Sequence, residues 1–135
     1  MAQVLLTNAQ VIINSVDLSN RIDSVAINEV FADVDTTTFG TTAKTRIAGL
    51  GDHKVIIEFQ QDFAAASVAA TIDPLVGLTT TVIVKPVAGT TTTTNPAYTF
   101  TAVITDWRPV EGKVGEIAKA NVTWPITGPI TKATS

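Results

Sequence analysis

Apolar residues along this chain alternate with polar ones in short runs, and a period of two predicts strands for most of its length. Val4 to Leu6 and Val11 to Ile13 read as short strands separated by the turn formers Thr7 and Asn8, and Asn14 to Asn20 as a tight polar connection. From Arg21 to Val34 the alternation is imperfect: Val25, Ile27 and Phe31 fall on one side while Glu29 occupies the apolar register, as in a strand that is not fully buried. Thr45 to Leu50 reads as a strand entering a turn at Gly49-Leu50-Gly51-Asp52, with His53 to Gln60 returning as its hairpin partner, Val55, Ile57 and Phe59 on one side of the pleat and Ile56 and Glu58 on the other. Thr79 to Val87 forms the next strand, and Thr90 to Thr94 with Asn95-Pro96 a hairpin loop. Tyr98, Phe100, Ala102 and Ile104 then alternate cleanly with threonines and a valine, up to a stop at Trp107-Arg108-Pro109. After a turn around Gly112 and Gly115 a last strand places Ala118, Ala120, Val122 and Trp124 on one face, and Pro125 and Pro129 are expected to close it as a strand edge and a tail.

The period changes once, at Asp62. Aspartate is a favoured N-cap because its carboxylate accepts hydrogen bonds from the free amides of a first helical turn. The alanine-rich run from Phe63, with Val68, Ile72, Leu75 and Val76 on one stripe, predicts an amphipathic helix over about 62–76. Asp73-Pro74 predicts a bend or restart, with proline in the first helical position and an end at Gly77. Seven to nine strands and one helix make a mainly β chain, an antiparallel β-sandwich or partly closed barrel with one flanking helix, and 135 residues suit a single domain over 1–135.

One stretch resists this economy. A polar segment between two strands, with its site residues over 33–46, carries five threonines in its Asp33 to Lys44 part, a glycine (Gly40) and one large apolar residue, Phe39. Connections inside compact domains have a median of about 4–6 residues. Disordered segments also lack the β-branched and aromatic residues that this one is built from. The segment is therefore expected to be a long extended arm that gains its order from another surface, a second copy of the chain, rather than a mobile loop. Asp33, Asp35, Thr37, Thr38, Phe39, Gly40, Thr45 and Arg46 are its candidate contact residues.

Composition narrows the chemistry. Nine Lys and Arg against twelve Asp and Glu give a net charge of −3, with the basic residues scattered. Tight binding to a nucleic-acid backbone needs clustered cations. Charged residues make up only 16% of the chain, below the roughly 25% of an average soluble domain, and a neutral Thr-rich surface suits a protein packed against neighbours. With no cysteine there is no disulfide framework and no thiolate chemistry. The opening residues MAQVLLTNAQ lack a basic region followed by a long apolar run, and no stretch approaches the 18 or so apolar residues of a membrane span, so the expectation is a chain made in a cytoplasm with no membrane partner. On that footing the Asn121-Val122-Thr123 sequon is simply strand sequence.

No catalytic constellation stands out. The single histidine, His53, follows a predicted turn and reads as a solvated turn residue, and no G-x-S-x-G or phosphate-binding loop is present. Asp33 and Asp35 point the same way on a strand, but a calcium site needs further oxygen ligands. The chain is expected to be no enzyme, with no catalytic, cofactor or metal residues.

Several segments in order, V-x-I-N-x-V-D-L-S (Val11 to Ser19), A-D-V-D-T-T-T-F-G (Ala32 to Gly40), T-R-I-A-G-L-G-D (Thr45 to Asp52), E-F-x-Q-D-F (Glu58 to Phe63) and N-V-T-W-P-I-T-G (Asn121 to Gly128), carry a resemblance that spans almost the whole chain. Together with Asn95-Pro96-Ala97-Tyr98 and the Val114-Gly115-Glu116 turn, they resemble the major tail tube protein of tailed bacteriophages, in the short siphovirus form. That resemblance implies a virion structural protein made in a bacterial host, six copies to a ring, and rings stacked into a tail tube through which DNA passes. It implies partners too: the protein itself, tail tip and tail terminator proteins, and a tape measure protein and DNA in the lumen without specific binding. Other readings are a capsid decoration protein, a tail terminator, the secreted-ring protein of a bacterial injection system, or, from a different class, an adhesin or carbohydrate-binding module. Against the last stands an aromatic content of only 6%.

Overall fold

The computed structural model describes residue 3 and residues 5–65 and 67–135. Nine strands are present among the described residues: β1 (Gln10–Ile13), β2 (Val16–Asp17), β3 (Ile22–Asn28), β4 (Phe31–Asp35), β5 (Arg46–Gly51), β6 (Lys54–Gln60), β7 (Thr79–Lys85), β8 (Ala97–Val103) and β9 (Lys119–Ala133). Seven form one antiparallel sheet in the order β2-β1-β7-β8-β9-β6-β3, while β4 and β5 pair only with each other. The sheet curls into a half-barrel, so of the two expected architectures the partly closed barrel is the one adopted.

Alternation places the core as expected. Val55, Ile57 and Phe59 of β6, Phe100 and Ala102 of β8, and Ala120, Val122 and Trp124 of β9 are all buried in one cluster with Val11, Ile13 and Val82. Trp124 donates its indole N–H to the Asp106 carbonyl at 2.7 Å, which satisfies the one polar atom that burial of the ring would strand.

The curl comes from β9. Its first half pairs with β6, from Lys119 opposite Gln60 to Pro125 opposite Lys54, and its second half pairs with β8, from Ile126 opposite Ala102 to Ala133 opposite Ala97. The strand therefore runs through both prolines, contrary to the expected edge and tail. Pro125 falls where β9 exchanges one neighbour for the other. Pro129 lies within a register shift, next to Gly128 in the left-handed region at φ 86°, where a proline need not supply a ladder N–H.

The first half of the chain departs further from its pattern. Leu5 and Leu6 lie outside any strand, and Val4 falls outside the described residues. The stretch read as one strand from Arg21 is two, β3 and β4, broken at Glu29-Val30. A two-residue turn at Asn14-Ser15, both at positive φ, folds β2 back on β1 inside what reads as a connection.

The helix is shorter than its stripe. Only α1 (Val68–Ile72) is α-helical, and one 3-10 turn over Asp73–Leu75 follows with Pro74 in its first turn, the expected restart. Asp62 does cap, but it caps a turn: its carboxylate accepts the Ala64 amide at 2.9 Å and Arg21 Nε at 2.7 Å. Of the expected stripe Val68 and Ile72 are buried in the core and Leu75 packs partly against it, whereas Val76 is exposed, and the α-helix has five residues over a span where fifteen were expected.

Candidate subunit interface

β3 and β6 are antiparallel neighbours, Val25 opposite Ile57 and Ile27 opposite Val55. β4 and β5 continue the same two legs, with Val34 opposite Ile47 and Asp35 opposite Arg46. The stretch from Ile22 to Gln60 is thus a single long hairpin with a neck, at Glu29-Val30 on one leg and Asp52-His53 on the other. This corrects the expected pairing: β5 is the partner of β4 and not of β6, and Gly49-Leu50-Gly51 is strand, not turn.

The neck explains why the hairpin leaves the sheet. The third strand, β9, stays beside β6 only as far as Lys54, and Ile126 N–H donates to the His53 carbonyl at 2.9 Å as β9 turns away. Beyond that point, among the described residues, no other strand pairs with the hairpin. Every residue of β4 is exposed, and all of β5 except half-buried Gly49, so the ribbon stands off the body.

His53 is the pivot, and it is buried, with only 6% of its surface exposed, rather than the solvated turn residue expected. Its Nδ1 accepts the Val30 N–H at 3.1 Å, the Asp52 N–H donates to the Val30 carbonyl at 2.7 Å, and the Phe31 ring packs edge-on against the imidazole at 5.0 Å. Gly51 makes room for the ring, since a Cβ there would lie 2.7 Å from Nε2. Sequence reasoning missed this neck. The only signal for it was a glycine two residues before a lone histidine.

The candidate contact residues fall along the ribbon and its tip. Asp33 pairs with Arg46 at 3.4 Å, both exposed, a pair worth little in water. Asp35 accepts the Thr37 N–H at 2.8 Å, and the hydrogen bonds from the Thr37 side chain and amide hold its carboxyl below the usual range. Thr36 and Thr45 hydroxyls meet at 2.9 Å, the Thr45 N–H donates to Thr37 Oγ1 at 2.9 Å, and the Thr41 hydroxyl donates to the Thr38 carbonyl at 2.8 Å. Several of the threonines thus close the loop itself. Gly40 turns the tip at φ +88° with open space around it, and Phe39 beside it is 107% exposed. Phe31, which rests one edge on His53, and Val34, Ile47 and Leu50 complete an apolar ribbon that stays exposed among the described residues.

Asp33 and Asp35 are therefore engaged separately, one by a guanidinium and one by its own turn. Among the described residues no group of three His, Cys, Asp or Glu side chains could hold a metal ion, and no helix is long and apolar enough to cross a membrane.

No family model matches the chain, and no curated protein does. Solved structures do share its fold. A chain from the tail of an empty gene transfer agent particle, helically refined with C6 symmetry, superposes with a TM-score of 0.59 at 14% identity, covering 85% of this chain and 83% of that one. A chain of the anti-feeding prophage baseplate, six-fold symmetrised, gives a TM-score of 0.58 at 10% identity over 99% of this chain and 98% of that one. At such identities the likeness is one of fold, and the fold is that of subunits in phage-tail-like particles.

Proposed function

We propose that this protein is a structural subunit of a phage-like tail, assembling as six-membered rings that stack into a tube for DNA passage, with the β4–β5 ribbon as its contact arm. The observation that carries this reading is the ribbon itself. An isolated two-stranded hairpin is marginally stable in water, and this one exposes Phe39, Ile47 and Leu50 and pairs with no other strand among the described residues. An element of that kind gains order by packing on another copy. The six-fold symmetry of both solved particles supports the ring, and the helical order of the first supports stacking. The partners are then the chain itself and the tail tip, terminator and tape measure proteins, in a virion tail of siphovirus type. A net charge of −3 suits a channel wall that lets DNA slide.

A second reading, a ring component of a baseplate or injection system, is favoured by the near-complete coverage of the baseplate chain. Electron microscopy of the purified protein over a concentration series separates the two. Open-ended tubes of stacked rings are the expected result; single rings that never stack would favour the baseplate reading, and monomers at every concentration would count against both.

A further inference from the structure

The two ends of the seven-stranded sheet are not alike. At one end β1 is sealed: β2 pairs with Ile12 and Ile13, the Val11 N–H donates to Ser19 Oγ at 2.8 Å, and the Val11 carbonyl accepts the Leu18 N–H at 3.1 Å. At the other end β3 offers a seven-residue edge. Its first amide, Ile22 N–H, is taken by the Ser19 carbonyl; beyond it, among the described residues, no strand pairs with that outer edge. Soluble proteins usually guard such an edge with lysine, proline or a covering loop, whereas β3 carries neither residue and exposes small Ser24 and Ala26. Beside it lies an apolar cleft lined by Leu6, Ala9, Val25, Ile27, Val84 and Tyr98.

We infer that β5 of the ribbon of one copy adds as an eighth strand to the β3 edge of the next, with Leu50 over the apolar cleft. This rests on the ring reading and names the surface that the ribbon meets. Each strand carries a bulge, β3 between Ile22 and Ser24 and β5 between Ala48 and Gly51, so the regular stretches that would pair are 24–28 and 46–48. Charge selects β5 over β4: Asp23 is already held by Gln60 and Lys119, but the edge runs into Glu29, to which β4 would bring Asp33 and Asp35, whereas β5 brings Arg46 and no acid. Leu50, 88% exposed, is the apolar side chain on offer. Pairing would satisfy the bare ladder groups of both strands, as in strand addition generally. Because each copy has one such ribbon and one open edge, the contact is head-to-tail and can close into a ring. Contact between two β3 edges would instead be two-fold and stop at a dimer.

The absence of cysteine makes the test clean. Copies carrying Ala26→Cys are mixed with differently tagged copies carrying Ile47→Cys, Ala48→Cys or Leu50→Cys, and oxidised gently at concentrations where the chain assembles. Directly opposed strand residues have Cβ atoms about 4.5–5.5 Å apart, close enough for a disulfide after slight adjustment, whereas diagonal neighbours at about 7–8 Å are not. Because β5 holds one extra residue between Ala48 and Gly51, Ile47 and Leu50 share one face and Ala48 takes the other, while Ala26 faces away from the cleft that Val25 and Ile27 line; the expected result is a mixed disulfide from Ala48→Cys and none from Ile47→Cys or Leu50→Cys. In a parallel experiment Leu50→Asp should abolish assembly while the melting curve of the dilute monomer stays unchanged. Rings or tubes that form without any mixed disulfide would overturn the inference and leave the ring reading standing. Ala26-to-Ala26 dimers as the main product would overturn it in favour of a two-fold contact, and a chain that neither assembles nor cross-links would overturn both.

Discussion

Truncating Phe39 to alanine separates what the ribbon does for the monomer from what it does for an assembly. In the single chain the ring touches nothing, being 107% exposed, so removing it should change monomer stability by less than about 0.5 kcal/mol. In a tube the same ring would be buried against a neighbour, and full burial of a phenylalanine is worth about 1.5–3 kcal/mol. Alanine keeps a methyl group, which leaves a loss of about 2 kcal/mol for each subunit added. At about 1.4 kcal/mol per tenfold this corresponds to roughly a 30-fold rise in the concentration needed for assembly. Pelleting of assembled material, with micrographs at each concentration, measures that threshold, and thermal melts of dilute unassembled protein supply the control. Phe39→Leu, which keeps most of the apolar area, should fall between the two. An unchanged threshold would refute the anchor role of Phe39, and a markedly lower monomer melting temperature would show that the ring is used within its own chain.

Four further variants probe the neck, the tip and the turn that Asp62 caps. His53→Ala removes the acceptor of the Val30 N–H and empties a buried site, and should cost about 2–3 kcal/mol in urea unfolding; a loss below about 0.5 kcal/mol would mean that the neck is not held by this ring. Gly51→Ala, whose Cβ would sit 2.7 Å from His53 Nε2, should cost about 1–3 kcal/mol globally, whereas Gly40→Ala, strained at φ +88° but in open space, should raise hydrogen exchange only in the tip between β4 and β5. The Ala64 amide, with Arg21 and Ser67, holds the Asp62 carboxyl at about 2. That lies below its unfolded value of about 3.9, so the stabilisation is complete above that pH and is lost as pH falls through about 2. Asp62→Asn should therefore flatten acid unfolding in that window and leave its slope near neutrality unchanged.

Much of the fold is legible in the sequence because period-two alternation is set by one buried face. Val55-Ile57-Phe59, Phe100-Ala102-Ile104 and Ala120-Val122-Trp124 are read correctly from spacing alone, and all are buried. Pairing is less legible. The alternation of Thr45 to Leu50 says that it is a strand but not that its partner is Phe31–Asp35, since either leg offers the same local pattern; the choice is made by β9, which abandons the hairpin at Lys54. The prolines misled for a related reason. Pro125 and Pro129 are strand breakers where a ladder N–H is required, and they lie at the two places along β9 where the ladder changes partner or register. The alanine run overstated the helix, because helix propensity from Phe63 onward does not outweigh the turn that Asp62 fixes through Ala64. His53 could not have been assigned to the neck from sequence, since its burial depends on Phe31 and Val30 more than twenty positions away.

The long Thr-rich segment with one phenylalanine stood out in the sequence, and the structure changes what its residues can contribute to the proposed contact. Threonine hydroxyls that a neighbour could have used close the tip on Asp35, Thr37 and Thr45 instead. The groups left to offer are Phe39, the side chains of Ile47 and Leu50, and the backbone of the ribbon's outer edges. Apolar side chains and strand edges are both stabilised far more by a dry partner than by water. On the proposed reading the ribbon, held at its neck by the bonds of His53 and Asp52 to Val30, is the part of the chain that docks on the next copy. On this argument the ribbon orders as it docks, and hydrogen exchange in β4 and β5 should be fast in the free chain and slow in the assembly, with β6 to β9 protected in both.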